Sequence, residues 1–233
     1  MLLIGLLGGV SCESTSVYYA LINESVRRKL GGLHSARVLV NSIDFHQAEA
    51  LRRTQDWQAL GIFLSRECQR LESAGAQVLA VCSNTMHAVF ETIERSGNAP
   101  MIHIADAMFR EICRSNVSTV GLLGTKHTMS STSYRDRLSG DSELGVLVPY
   151  EPDQALINAI IYEELCVGII SDESRRTLLR AADNLVIRGA QVIIAGCTEL
   201  NLLIRPEDLR VPLLDTTAVH VDALVAAAFQ EQF

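Results

Sequence analysis

The chain has 233 residues, 48% of them hydrophobic and 20% charged, which is enough apolar material for one large or two small buried cores. Lys and Arg number 20 against 27 Asp and Glu, for a formal net charge of −7. An acidic chain without a basic stretch excludes phosphate neutralisation as the basis of binding, so no nucleic-acid partner is expected and a small ligand is.

The opening Met1-Leu2-Leu3-Ile4-Gly5-Leu6-Leu7-Gly8-Gly9-Val10-Ser11 is apolar but short and has no basic region before it, so it does not read as a secretory signal. No apolar run approaches the roughly 20 residues that span a bilayer, so no membrane partner is expected. The six cysteines (12, 68, 82, 113, 166 and 197) include no C-x-x-C pair, so neither a zinc site nor a disulfide framework is indicated and the cytoplasm is the expected compartment.

In chain order, aliphatic runs at 2–7, 36–40, 78–81, 119–123 and 192–195 read as buried strands. Residues 14–29, 56–74 and 172–188 between them carry apolar side chains at helical spacing. Strand and helix alternating this way predicts an α/β fold with parallel sheets flanked by helices. The chain also repeats: Ile4-Gly5-Leu6-Leu7-Gly8 returns as Val120-Gly121-Leu122-Leu123-Gly124, Ala76-Gln77-Val78 as Ala190-Gln191-Val192, and Pro100-Met101-Ile102 as Pro212-Leu213-Leu214. The order and near-constant shift predict two pseudo-symmetric, doubly wound domains, 1–105 plus 213–233 and 106–212, with the ligand site at their interface.

The same shift sets Ser83 against Cys197, each just beyond a predicted strand and followed by short polar residues. A side chain at a strand's carboxyl end is held rigidly, and the next backbone N–H groups can receive a carboxylate. Two proton-carrying groups on opposite sides of one carbon are what inversion of a stereocentre requires, and a thiol with pKa of about 8.5 serves as acid or base. Gly8-Gly9 lacks the spacing of a nucleotide loop; a tight turn with close approach of backbone to ligand accounts for it better.

Val81-Cys82-Ser83-Asn84-Thr85-Met86-His87 and Gly196-Cys197-Thr198-Glu199-Leu200 resemble the two signatures of the aspartate/glutamate racemase family, and the opening 5–15 segment and Ile161-Tyr162-Glu163-Glu164-Leu165-Cys166-Val167-Gly168 resemble its aspartate-racemase branch. The resemblance implies cofactor-independent racemisation of an amino acid, with neither PLP nor a metal, by a homodimer. Where the family carries its first catalytic thiol, directly before Asn-Thr, this chain has Ser83, with Cys82 one residue earlier; the L-aspartate/glutamate-specific branch similarly carries a hydroxyl there. Strand alternation lets only one of the two face the substrate, and the repeat favours Ser83. By family position, Cys197 and Ser83 are catalytic, Asn84, Thr85 and Thr198 bind the α-carboxylate and amine, and Val10 lines the pocket through its backbone. Thr125 and Thr128 either contact a carboxylate or cap a helix. Arg52 either forks onto a side-chain carboxylate or lies on a solvated face. Glu199 orients Cys197 or the substrate ammonium, and His87 either assists Ser83 or is structural. Two other functions compatible with one surviving thiol are an arylmalonate-decarboxylase-like enzyme and a catalytically silent amino-acid-binding protein.

Overall fold

In the computed structural model, which describes residues 1–140 and 142–231, the chain divides into two units, Met1–Ile104 with His220–Phe233 and Ala105–Val219. The first unit contains β1 (Ile4–Gly8), α1 (Cys12–Leu30), β2 (Val38–Ser42), α2 (Phe45–Arg53), α3 (Trp57–Ser73), β3 (Val78–Val81), a 3-10 turn (Thr85–Val89) and α4 (Phe90–Glu94). Next come α5 (Ile104–Ser115), β4 (Thr119–Gly124), α6 (Lys126–Ser130), α7 (Thr132–Ser139), β5 (Gly145–Leu147) and α8 (Glu151–Ala159), the last continued by a π turn (Ile160–Glu164) and a 3-10 turn (Leu165–Val167). They are followed by α9 (Asp172–Ile187), β6 (Val192–Gly196), 3-10 turns at Thr198–Leu202 and Pro206–Asp208, β7 (Leu213–Asp215) and α10 (Thr216–Ala228). Among the described residues, no helix is long and apolar enough to cross a membrane.

The parallel sheets have orders β2-β1-β3 and β5-β4-β6-β7, and the first is extended past β3 by one bridge, Leu79 to Met101. The repeat therefore carries over into strand register. Ile4 pairs with Val78 as Val120 pairs with Val192, and the Leu79–Met101 bridge matches Ile193 beside Leu213. The repeated Gln has a physical cause as well: Gln77 Oε1 accepts from Leu3 N–H at 3.0 Å, and Gln191 Oε1 from Thr119 N–H at 3.1 Å. Each amide side chain satisfies the backbone donor at the start of the first strand of its unit. The glycine inside that strand is equally constrained, because a Cβ at Gly5 would meet Leu79 at 2.5 Å and one at Gly121 would meet Ile193 at 2.8 Å.

Side-chain alternation builds the first unit's core in two layers. Ile4, Leu6, Val78, Ala80 and Cys82 pack with Tyr18, Ile22 and Val26 of α1 and with Val221, Leu224 and Val225 of α10. Leu7, Leu79 and Val81 pack on the opposite face with Leu60, Leu64 and Leu71 of α3. In the second unit Leu123, Ile193, Ala195 and Cys197 share a cluster with α8, α9 and the turns around them.

The second unit begins and ends elsewhere than the sequence suggested. Residues 213–219 belong to it, because β7 hydrogen-bonds to β6. Under the repeat α5 and α10 are equivalent helices, and each falls mostly in the unit other than that of the strand before it. Gly9 also differs from expectation: its φ is 84°, and what it admits is the Ile43 backbone, into which a Cβ would collide. The Gly-Gly turn is thus a chain crossing within the protein.

Candidate active site

In the first unit Ser83, Asn84 and Thr85 follow β3 directly and Val10 follows β1, so all four stand at the carboxyl edge of one sheet. Alternation sends Cys82 into the core, where it is fully buried among α1 and α10 side chains. Burial pushes its thiol pKa upward, the neighbouring Cys68 adding to the effect. Ser83 is half-buried, and its Oγ accepts weakly from Met86 N–H at 3.5 Å. Asn84 and Thr85 are 6% and 5% exposed. The Val10 side chain joins the core around Leu7.

His87 stands one turn beyond Ser83, but its ring does not meet the hydroxyl. Nδ1 lies 2.6 Å from the Ser83 carbonyl oxygen, to which it must donate, and Nε2 accepts the Ile104 N–H at 3.3 Å. The neutral ring is fixed in one tautomer, which leaves no lone pair for the Ser83 proton. His87 is therefore not a general base for Ser83 in this arrangement. It stacks on Phe90, with centroids 5.6 Å apart, and lies edge-on to His103 and His220.

Arg52 lies in the last turn of α2 and closes its Nε–Nη2 fork on Glu49, with both contacts at 2.6 Å. An internal carboxylate thus takes the edge that would meet a substrate carboxylate under one of the two readings of Arg52.

In the second unit Thr125 and Thr128 follow β4 and Cys197, Thr198 and Glu199 follow β6, at neighbouring positions of one sheet edge. Thr125 caps α6, accepting from Thr128 N–H at 3.2 Å, and the two hydroxyls are 3.0 Å apart. Both side chains are buried. Thr198 accepts from Thr217 Oγ1 at 3.1 Å.

Cys197 keeps extended backbone at φ −156° and ψ 131°, then the chain turns sharply into the following 3-10 turn. Its Sγ donates to Glu199 Oε2 at 2.9 Å, and Cys166 Sγ lies 3.7 Å from the other oxygen, Oε1. One buried carboxylate therefore receives two thiols. Burial first, and then the Glu199 charge, pushes the Cys197 thiol well above its ordinary pKa. Burial likewise raises the phenol of Tyr134, on α7, with Cys197 close enough to contribute. The resting site thus holds Cys197 as S–H, an acid already paired with an acceptor.

Sequence reasoning missed four contributors. Cys166 stands in a family-like segment whose sequence assigns the thiol no contact with Glu199. Thr217 lies beyond the motif. Ser11 and Ser14 were recoverable, because they are Thr125 and Thr128 shifted by the repeat: Ser11 caps α1 by accepting from Ser14 N–H at 3.3 Å, and Ser14 Oγ donates to the Cys82 carbonyl at 3.1 Å. Among the described residues no group of three or more His, Cys, Asp or Glu is placed to hold a metal ion.

The fold is thus of the α/β class, two parallel-sheet units with Ser83 just past the third strand of one and Cys197 just past the third strand of the other. The chain matches the Asp/Glu/Hydantoin racemase family over residues 7–224 and belongs to that family. Among solved structures it is similar to a Yersinia pestis protein described as of Asp/Glu racemase type, with 45% identity, coverage of 99% of this chain and 100% of that one, and a TM-score of 0.90. An aspartate racemase homologue from Pyrococcus horikoshii OT3 is 32% identical, with 98% and 100% covered and a TM-score of 0.82. The broad specificity amino-acid racemase RacX of Bacillus subtilis (strain 168) is 25% identical over 157 residues, 67% of each chain.

Proposed function

We propose that the protein racemises an acidic amino acid, aspartate or glutamate, without a cofactor, with Cys197 as one proton-carrying group and Ser83, its equivalent under the repeat, as the other. The observation that carries this reading is the Cys197 thiol at a strand end, hydrogen-bonded at 2.9 Å to Glu199. A thiol held as S–H is ready to deliver a proton to a carbanion. To act as base it first passes its proton to Glu199 Oε2, which is already the acceptor. Ser83 has a different setting: its Oγ accepts weakly from a backbone N–H, and His87 serves its carbonyl. A hydroxyl so placed is a weak acid and a weaker base. Inversion through Ser83 is therefore the slow step, while hydrogen exchange at Cys197 is fast.

The equilibrium constant between enantiomers is one, so this asymmetry makes the two kcat values unequal without making the enzyme one-way. Asn84, Thr85, Thr125, Thr128 and Thr198 are the proposed donors to the α-carboxylate and amine. Arg52 is the proposed side-chain-carboxylate contact only if it exchanges Glu49 for substrate. Proton NMR in D2O with each enantiomer of aspartate and glutamate tests the reading. One enantiomer gains α-deuterium faster than it inverts, and Cys197→Ser abolishes the gain. Deuteration that never exceeds inversion, for either enantiomer, sinks the two-base assignment.

The protonated thiol also supports a second reading, one-face protonation of an enolate after loss of carboxylate. Release of carbon dioxide from a substituted malonate, with no exchange of an amino acid, would favour it.

A further inference from the structure

His87 is tied at both ring nitrogens, and the two ties run in different directions. Nδ1–H donates to the carbonyl of Ser83, one turn back, at 2.6 Å. Nε2 accepts the N–H of Ile104, 17 residues on, at 3.3 Å. Ile104 is the first residue of α5, where a backbone N–H has no partner inside the helix. The ring is 5% exposed and packs flat against Phe90 at 9°. These contacts fix its position without any help from the Ser83 hydroxyl.

We propose that His87 is a positioning residue for Ser83, holding the peptide after β3 so that the hydroxyl keeps one direction. The proposal rests on the reading of Ser83 as the second proton-carrying group. Ser83 lies just past the last paired residue of β3, since the β1–β3 register ends at Leu7 and Val81, so the ladder no longer restrains its peptide. The restraint comes from two backbone donors and one ring. Ser83 N–H donates to the Val81 carbonyl at 2.9 Å, Cys82 N–H donates to the Leu7 carbonyl at 2.9 Å, and His87 holds the Ser83 carbonyl. The ψ of Ser83, and with it the orientation of the Asn84 N–H, is pinned by that third contact. The repeat sets Asn201 opposite His87, but the Cys197 carbonyl accepts from the backbone N–H of Leu200 at 3.2 Å, so the ring tie belongs to the serine side.

The two amide side chains separate the two ties. The Asn amide nitrogen occupies the place of Nδ1, and the Gln amide group reaches the place of Nε2. His87→Asn keeps a donor for Ser83 and gives up the Ile104 acceptor; His87→Gln does the reverse. Each is made in the full chain, alongside Ser83→Ala, and inversion and α-exchange of aspartate and glutamate are followed in D2O together with thermal melting. The expected result is that His87→Gln lowers kcat for inversion about tenfold with KM within about twofold, while His87→Asn restores most of that rate although both variants melt alike. Exchange at Cys197 is unchanged in both. Equal loss of inversion in the two variants in step with their melting would reduce His87 to packing and overturn the proposal, as would inversion at the wild-type rate in His87→Gln. If Ser83→Ala inverts as fast as wild type, the Ser83 assignment fails and the positioning role falls with it. If Ser83→Ala is inactive in inversion and His87→Gln is not impaired, the positioning role alone is lost.

Discussion

The ends of β3 and β6 are the same place in two units, in the same strand register, yet their surroundings are chemically opposed. Ser83 sits beside a buried histidine that serves its backbone, whereas Cys197 sits beside a buried carboxylate that accepts a hydrogen bond from its thiol. The first unit holds its strand end with packed imidazole rings, His87, His103 and His220, and the second with Glu199 and two thiols. Duplication supplies position; the side chains two to four residues further on decide what that position does.

The largest effect that can break this comparison is loss of the thiol. Cys197→Ala is expected to lower both α-exchange and inversion by about 10³-fold or more, whereas Ser83→Ala loses inversion and keeps exchange. Proton NMR in D2O reads both at once, and equal losses in the two variants would erase the asymmetry.

Next in size is acid stability. Burial holds the His220 pKa down at about 4, against 6.5 for the free residue, with Tyr18 OH on Nδ1 and the Ile102 carbonyl on Nε2, each at 2.8 Å. A histidine depressed on folding favours the native state above the unfolded pKa, and that contribution is lost as pH falls through the window from 6.5 to about 4. The loss amounts to about 3 kcal/mol. In the second unit burial raises the Asp215 pKa, so acid neutralises a carboxyl that prefers to be neutral and adds no such penalty. Urea unfolding of wild type and His220→Gln across that window checks it: the variant should be weaker at neutral pH but flatter with pH.

Smaller again is repair of the weak side. Ser83→Cys is expected to speed inversion about tenfold by supplying a group that titrates near pH 8.5. Cys82→Ala, measured by proton NMR in D2O and thermal melting, should leave inversion alone and lower the melting temperature by trimming a core side chain. The smallest effect concerns Cys166. Removing its donor from Glu199 in Cys166→Ala leaves the carboxylate a better acceptor and relieves the Cys166 push on the Cys197 thiol, so Cys197-dependent exchange should speed up about threefold, with Cys166→Ser returning it toward wild type.

Much of this was legible in the sequence because it is local or repeated. The five strand cores, the paired glycines and the Ala-Gln-Val segments each answer to a backbone need that recurs in both units. The burial of Cys82 in the core follows from alternation, since it shares its face with Val78 and Ala80. What was hidden depends on residues far apart in sequence. Cys166 reaches Glu199 across 33 positions, from a turn that ends a different helix. The closure of Arg52 on Glu49 is local, at three residues' spacing, but nothing in the sequence distinguishes it from a fork left open to solvent. The assignment of α10 was hidden too, because the repeat shows that a helix follows β7 without showing which unit its apolar side completes.

That assignment of α10 bears on how the protein is made. Val221, Leu224, Val225 and Ala228 fill the same cluster as Ile4, Leu6 and Tyr18. A ribosome emits β1, β2 and β3 first, then every strand of the second unit, and only afterwards the helix that finishes the first core. At about 5–20 residues per second the early sheet waits many seconds with that face covered by α1 but not yet by α10. The unit begun first is thus the last to close, and the nascent chain carries an exposed apolar surface throughout synthesis of the second sheet.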